Sequence, residues 1–206
     1  MTDRPSDDEP HAVPSGDEPH AVPCGDNDAT DAPSVAARDE LAGIVELFGA
    51  LTRAELADAL SELAFKRRAD VDEAAVDDAI AAATAGYVIV PAPADAVHVV
   101  GGDDSDPSNH EPEADGLLAV GPAAFPTPPP NVEDLPHILD VPDRTVDRDR
   151  LAGATLDRLE RDVSATVDDG NDARLEALLE VTYDIAAWAA VDATRIRDRV
   201  VRLLDE

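Results

Sequence analysis

The stretch Gly86-Tyr87-Val88-Ile89-Val90-Pro91 decides the fold, because the spacing of apolar residues changes there. Upstream, apolar residues recur every three to four positions, which is typical of amphipathic helices. The run Tyr87–Val90 is β-branched and aromatic, which favours a strand that ends at the proline. Two similar runs follow, Val97–Val100 and Leu117–Val120. The pattern therefore predicts several helices followed by a small antiparallel sheet.

Three helices are predicted before this stretch. The first ends at Gly49, and the third begins after Asp72, an expected N-cap, and stops at Gly86. The second opens with Thr52-Arg53-Ala54-Glu55, a capping box in which threonine and glutamate side chains each accept an amide of the first turn. The apolar faces of the three helices consist of Leu41, Ile44, Val45 and Phe48, of Leu56, Leu60, Leu63 and Ala64, and of Val76, Ala79, Ile80 and Ala83.

This element order is that of a winged helix-turn-helix. We therefore expect a mainly α fold with a small antiparallel β-sheet, in which a winged-helix-like domain spans residues 38–121. A small helical region, residues 147–206, follows it. A small helical domain with an unrelated hairpin is the alternative.

The remaining segments have different compositions. Residues 1–37 are predicted to be a disordered, acidic, Pro-rich tail that contains a tandem nonapeptide at 8–25. Residues 103–115 are predicted to be a mobile acidic loop. Residues 122–146 are predicted to be a Pro-rich linker, with one helical turn at Leu135, Ile138 and Leu139.

Three helices are predicted in the C-terminal region. Asp147 or Asp149 opens the first, a break at Asp168–Asn171 ends it, and Asp192 caps the third. These helices either form a unit of their own or pack on the first domain, and the sequence leaves both arrangements open.

The charge of the chain is strongly and evenly negative. The formal net charge is −30, Asp outnumbers Glu 32 to 14, and Arg outnumbers Lys 15 to 1. Each of the segments 1–38, 39–100, 101–143 and 144–206 is net negative, so an acidic tail alone does not explain the excess. Molar salt shortens the Debye length to roughly 3 Å and screens such self-repulsion. The composition predicts a halophile-adapted protein, and the lack of a visible targeting signal predicts a cytoplasmic location.

A resemblance is carried by four segments: LFGALTRAEL at 47–56, ELAFKR at 62–67, GPAAFP at 121–126 and DLPHILD at 134–140. Together they resemble an uncharacterised haloarchaeal protein family, a domain of unknown function, over roughly residues 39–206. The resemblance implies a halophilic archaeal cytoplasm. It supplies no activity, cofactor or site residue.

Catalytic and cofactor motifs are not found in the sequence. It has no Gly-rich phosphate loop of standard spacing, no H-E-x-x-H and no G-x-S-x-G. The one cysteine, Cys24, lies in the predicted tail, and no two histidines have ligand spacing on a predicted helix. The segment from Asp104 lacks the central glycine and final glutamate of a calcium loop. We therefore expect no enzymatic activity, no cofactor and no metal site.

The basic segment Lys66-Arg67-Arg68 is the candidate for a nucleic-acid contact. A winged helix usually reads DNA with its third helix. The third helix predicted here is acidic, with no Lys or Arg between Ala69 and Gly86, so it would repel phosphates. The basic segment also suits the negative end of the second helix dipole.

Three functional hypotheses remain. The first is a non-catalytic protein-interaction or regulatory module whose partner is another protein or a second copy of the chain. The alternative is a winged-helix transcription regulator that binds DNA through Lys66, Arg67 and Arg68. The second alternative is an enzyme without a recognisable motif. No membrane partner is expected, because no apolar run is long enough to span a bilayer.

Overall fold

The computed structural model describes residues 35–68, 72–101 and 116–205. Within these ranges the chain is mainly helical with a small antiparallel sheet, as predicted. The tandem nonapeptide and the 103–115 segment lie outside the described residues. In chain order the elements are α1 (Val35–Phe48), β1 (Ala50–Thr52), α2 (Arg53–Lys66), α3 (Glu73–Ala85), β2 (Ile89–Ala92), β3 (Val97–Val99), β4 (Leu117–Val120), α4 (Leu135–Ile138), β5 (Arg144–Val146), α5 (Arg148–Asp169), α6 (Asp172–Trp188) and α7 (Thr194–Leu204).

The capping box at the start of α2 is confirmed. Thr52 Oγ1 accepts the Glu55 amide at 3.1 Å, and Glu55 Oε2 accepts the Thr52 amide at 2.7 Å. Asp72 likewise caps α3 by accepting the Ala74 amide at 3.0 Å. These bonds satisfy amides that have no partner within the helix, so both helices begin where predicted.

The C-terminal helices begin and end at the predicted polar residues, with one exception. Asp147 accepts two amides of the first turn of α5, and Gly170 ends that helix in the left-handed conformation with φ of 65°. Asp192 does not occupy the cap position of α7, which is Ala193. Its carboxylate accepts the Thr194 amide at 2.9 Å, so it supports the turn from one residue further back.

The first sheet has the strand order β1-β4-β2, and all pairs are antiparallel. The expected strand Tyr87–Val90 is misplaced by two residues. The Tyr87 and Val88 amides still bond to carbonyls of the last turn of α3, and Tyr87 has a φ of 61°, so the strand starts at Ile89. It continues through Pro91, because β2 is an edge strand and can accommodate a residue without an amide proton.

The strand-like run Val97–Val100 does not join this sheet, which corrects the expectation of one sheet built from three runs. Its residues Val97–Val99 form β3, which pairs with β5 in a separate two-stranded sheet. The third strand of the main sheet is instead β1, which was not predicted. The strand has three residues, the last of which is the cap Thr52. Three residues are too few to show the alternation of apolar and polar residues that is typical of a strand.

The main sheet lies between two hydrophobic clusters. Leu51, Ile89 and Leu118 pack with α1, α2 and α3, whereas the neighbouring residues Ala50, Val90 and Ala119 pack with α5, α6 and α7. Successive residues of a strand point to opposite faces, so each face of the sheet is buried under a different helical layer. The C-terminal helices therefore pack on the sheet rather than standing apart from it.

The helical turn expected near residue 135 is present as α4, and Leu135 together with Leu139, which follows the helix, packs on the first cluster. Leu135 is fully buried in the first cluster, whereas Ile138 is 48% exposed. The expectation that Ile138 also packs on the core is wrong. With only four residues, α4 presents a single side chain to the core.

A buried ion pair joins β5 to the start of α2. Arg144 donates to both carboxylate oxygens of Glu55 at 2.8 Å and to the Ala50 carbonyl at 2.9 Å. Burial alone would raise the pKa of Glu55, but the Arg144 bonds and charge and the Thr52 hydrogen bonds together hold that pKa below its ordinary value. Glu55 therefore has two roles: it belongs to the capping box of α2, and through Arg144 it holds β5 beside β1.

A second polar cluster ties the end of α3 to the C-terminal helices. The Tyr87 hydroxyl donates to Asp162 at 2.7 Å, and the Arg158 guanidinium lies 4.3 Å from the centre of the Tyr87 ring. Arg158 and Arg174 also donate to carbonyls of the last turn of α3. Burial and the Asp162 carboxylate raise the pKa of Tyr87 well above its ordinary value, so the hydroxyl keeps its proton.

Candidate functional site

The structure places the predicted basic segment at the end of α2, where two of its three cations are in ion pairs. Lys66 Nζ lies 3.0 Å from Asp134, and Arg67 lies 3.2 Å from Glu40. Arg68 follows the helix with a φ of 56° and is exposed. The three residues are neighbours in the chain, but they do not form a free cationic surface.

The exposed side of α3 is acidic. The helix contains Glu73, Asp77 and Asp78, all exposed, and no basic residue. Arg53 at the start of α2 donates to the Asp77 carboxylate at 3.1 Å and to its carbonyl at 3.0 Å. This contact neutralises one carboxylate and leaves the other two facing solvent.

An apolar groove of about 410 Å³ runs between α1, α2 and α3. Its floor consists of apolar residues from all three helices, and its rim carries four charged residues. The floor includes Leu41 and Ile44 of α1, Leu60 and Leu63 of α2, and Val76 and Ala79 of α3, while Arg38, Glu40, Arg67 and Asp72 lie at the rim.

The predicted helix faces included every one of these floor residues, and an apolar face of this kind usually packs against the core. The structure instead leaves Leu60, Val76 and Ala79 half-buried at the groove, while Ile80 and Ala83 fill the core. Spacing along a helix shows which residues share a face. It does not show how closely the faces of two helices approach, so the groove could not be predicted from spacing.

Arg38 adds an unsatisfied polar group to this groove. Its Nε atom is buried, and no hydrogen-bond acceptor reaches it from the described part of the chain. A buried donor without a partner costs about 1–3 kcal/mol relative to a bonded one. Carboxylates pair well with guanidinium groups, so the Arg38 side chain at the rim suits a carboxylate of a ligand.

Metal binding and membrane insertion find no support among these residues. Over the described ranges, no three His, Cys, Asp or Glu side chains come together as a possible metal-binding group. No helix in the same ranges is long and apolar enough to cross a membrane.

The described residues form a small, mainly helical protein with an apolar groove between its first three helices. Comparison with protein families matches residues 39–205 to a family of unknown function (DUF7109). The chain belongs to this family. Neither a curated protein nor a solved structure gives a significant match.

Proposed function

We propose that the protein is a non-catalytic interaction or regulatory module built on a winged-helix-like scaffold. The observation that carries this proposal is the apolar groove between α1, α2 and α3, open at the surface of an otherwise acidic chain. Concave apolar sites with a few polar groups at the rim are typical binding sites. The groove carries no catalytic constellation among its lining residues.

The scaffold proposal rests on the connectivity of the first half of the chain. Elements α1, β1, α2, α3 and β2 follow one another, β4 comes after the intervening strand β3, and β4 lies between β1 and β2 in the sheet. A winged helix has this element order and places its last strand between the first two. The segment between β3 and β4, where a wing would lie, falls mostly outside the described residues.

The proposed occupant of the groove is an apolar segment of a partner protein that also carries a carboxylate. The apolar side chains would cover Leu60, Val76 and Ala79, and the carboxylate would pair with the Arg38 guanidinium at the rim. The open acidic face of α3 disfavours a polyanion at the same place. A second copy of the chain is the other occupant that the test distinguishes.

Site-specific crosslinking tests this proposal. A photoreactive residue at Val76, in the groove, is compared with one at Ala177, on the exposed side of α6. We expect one crosslinked product from the Val76 position in molar KCl and none from Ala177. Both the Ala79→Glu and the Arg38→Ala substitutions should abolish it, whereas Ala177→Glu should not. Light scattering and the mass of the product separate a partner from a second copy.

Two results would contradict the proposal. One is equal crosslinking from Val76 and Ala177. The other is a Val76 product that survives both groove substitutions in protein shown by circular dichroism to be folded.

DNA binding through Lys66, Arg67 and Arg68 is the weaker alternative, because ion pairs occupy the first two. It predicts that genomic DNA fragments bind in molar KCl and that the triple alanine variant does not bind. Binding by the wild type with loss in that variant would favour this alternative over the groove proposal.

A further inference from the structure

Helix α7 differs in charge from every other helix in the described part of the chain. Its eleven residues include four arginines and one aspartate, whereas the remaining described helices have more acidic than basic residues or none of either. In a chain with a net charge of −30, such a helix is an isolated region of positive charge.

Three of these arginines converge on one cleft. Arg195, Arg199 and Arg202 are spaced by four and three residues, which places them on one face of the helix. Together with Ile196 of α7 and Glu160 of α5 they line a cleft of about 320 Å³. The fourth, Arg197, lies on another side, where it stacks 4.2 Å from the Tyr183 ring and donates to Thr182.

The three cleft arginines lack carboxylate partners. No Asp or Glu oxygen of the described residues lies within 4.0 Å of their guanidinium nitrogens, although Glu160 borders the same cleft. Arg199 is held in place by a 3.1 Å bond from Nη1 to Ser164 Oγ on α5. Three guanidinium groups around one cleft repel one another, and a bound anion would relieve that repulsion.

We propose that this cleft binds a small molecule that carries a phosphoryl group. Guanidinium groups match phosphoryl oxygens in pairs of parallel hydrogen bonds, and three of them can neutralise a doubly charged group. Glu160 is an acceptor on the opposite wall, so the ligand also presents a hydrogen-bond donor such as a hydroxyl. The cleft volume suits a molecule about the size of a sugar phosphate.

Calorimetric titration of the full chain tests this inference at constant ionic strength. The probes are ribose 5-phosphate, inorganic pyrophosphate and ribose, which separate the phosphoryl contribution from the hydroxyl contribution. We expect saturable binding of both phosphorylated probes and none of ribose. Each of the substitutions Arg195→Gln, Arg199→Gln and Arg202→Gln should weaken binding about tenfold or more.

Two control variants sharpen the test. Arg161→Gln removes one charge from an exposed position of α5 outside the cleft and should leave affinity within about twofold. Glu160→Gln should strengthen pyrophosphate binding, because it removes a repulsive charge. It should also reduce the difference in affinity between ribose 5-phosphate and pyrophosphate.

Either of two outcomes would overturn the inference. One is no saturable binding of either phosphorylated probe to the folded wild type. The other is equal weakening by Arg161→Gln and by the cleft substitutions, which would show a general effect of net charge.

Discussion

Removing Arg144 should destabilise the protein far more than removing an exposed ion-paired arginine. The Arg144 side chain is only 10% exposed and makes two 2.8 Å bonds to Glu55, whose side chain is 21% exposed. Arg144→Ala removes the Arg144 bonds from the Ala50 carbonyl and from that carboxylate, which then keeps the Thr52 amide but no cation. Breaking one partner of a buried pair typically costs about 3–5 kcal/mol. We expect a loss of about 3 kcal/mol here, because Glu55 keeps some contact with water.

The matched control is Arg53→Ala. Arg53 pairs with Asp77 at 3.0 Å, but their side chains are 39% and 62% exposed, so we expect a loss below about 1 kcal/mol. Urea unfolding followed by circular dichroism at fixed KCl measures both free energies. A cycle with Glu55→Gln isolates the pair from the capping contribution of Glu55. Equal losses for Arg144→Ala and Arg53→Ala would refute the reasoning.

Four further predictions follow from the same structure. Gly49→Ala should lower the free energy of unfolding by more than about 2 kcal/mol, because φ is 77° and a Cβ would clash with the Arg144 carbonyl. Gly170→Ala should lower it by only about 1 kcal/mol, because φ is 65° but the space around a Cβ is open. Urea unfolding measures both losses. The stabilising contribution of Glu55 should be present above its ordinary pKa of 4.5 and be lost as the pH falls through its lower folded-state pKa; the stability difference between wild type and Glu55→Gln, measured from pH 7 to pH 3, should shrink accordingly. Tyr87→Phe should cost about 1.5–3 kcal/mol in urea unfolding, because it removes a hydrogen bond to a carboxylate in a buried position. The melting temperature should rise markedly between dilute and molar KCl, and a flat dependence would contradict the proposed halophilic adaptation.

The helices and most of their ends could be predicted from the sequence because their causes are local. The Thr52–Glu55 capping box and the Asp72 cap depend on side chains within three residues of the amides that they bind. Strand pairing depends on residues far apart in the chain. Nothing near Val97 indicates that its strand pairs with Val146 rather than joining the main sheet.

The binding surfaces were less predictable than the fold. The segment Lys66-Arg67-Arg68 is conspicuous in the sequence, yet Asp134 and Glu40 approach it from distant elements and pair with two of its cations. Arg195, Arg199 and Arg202 of α7 are spaced by four and three residues. Their spacing could not show that Glu160 of α5 would form the other wall of a cleft, or that Ser164 of α5 would hold Arg199.

Covering the sheet on both faces has a consequence for any shortened form of the chain. The face toward α5, α6 and α7 presents Ala50, Val90 and Ala119, which are all less than 2% exposed. A chain that stopped after β5 would place these residues, together with the Tyr87 ring, in water. Its first half would then expose an apolar surface on strands that are only three or four residues long. We therefore expect the first half to need the C-terminal helices in the same chain.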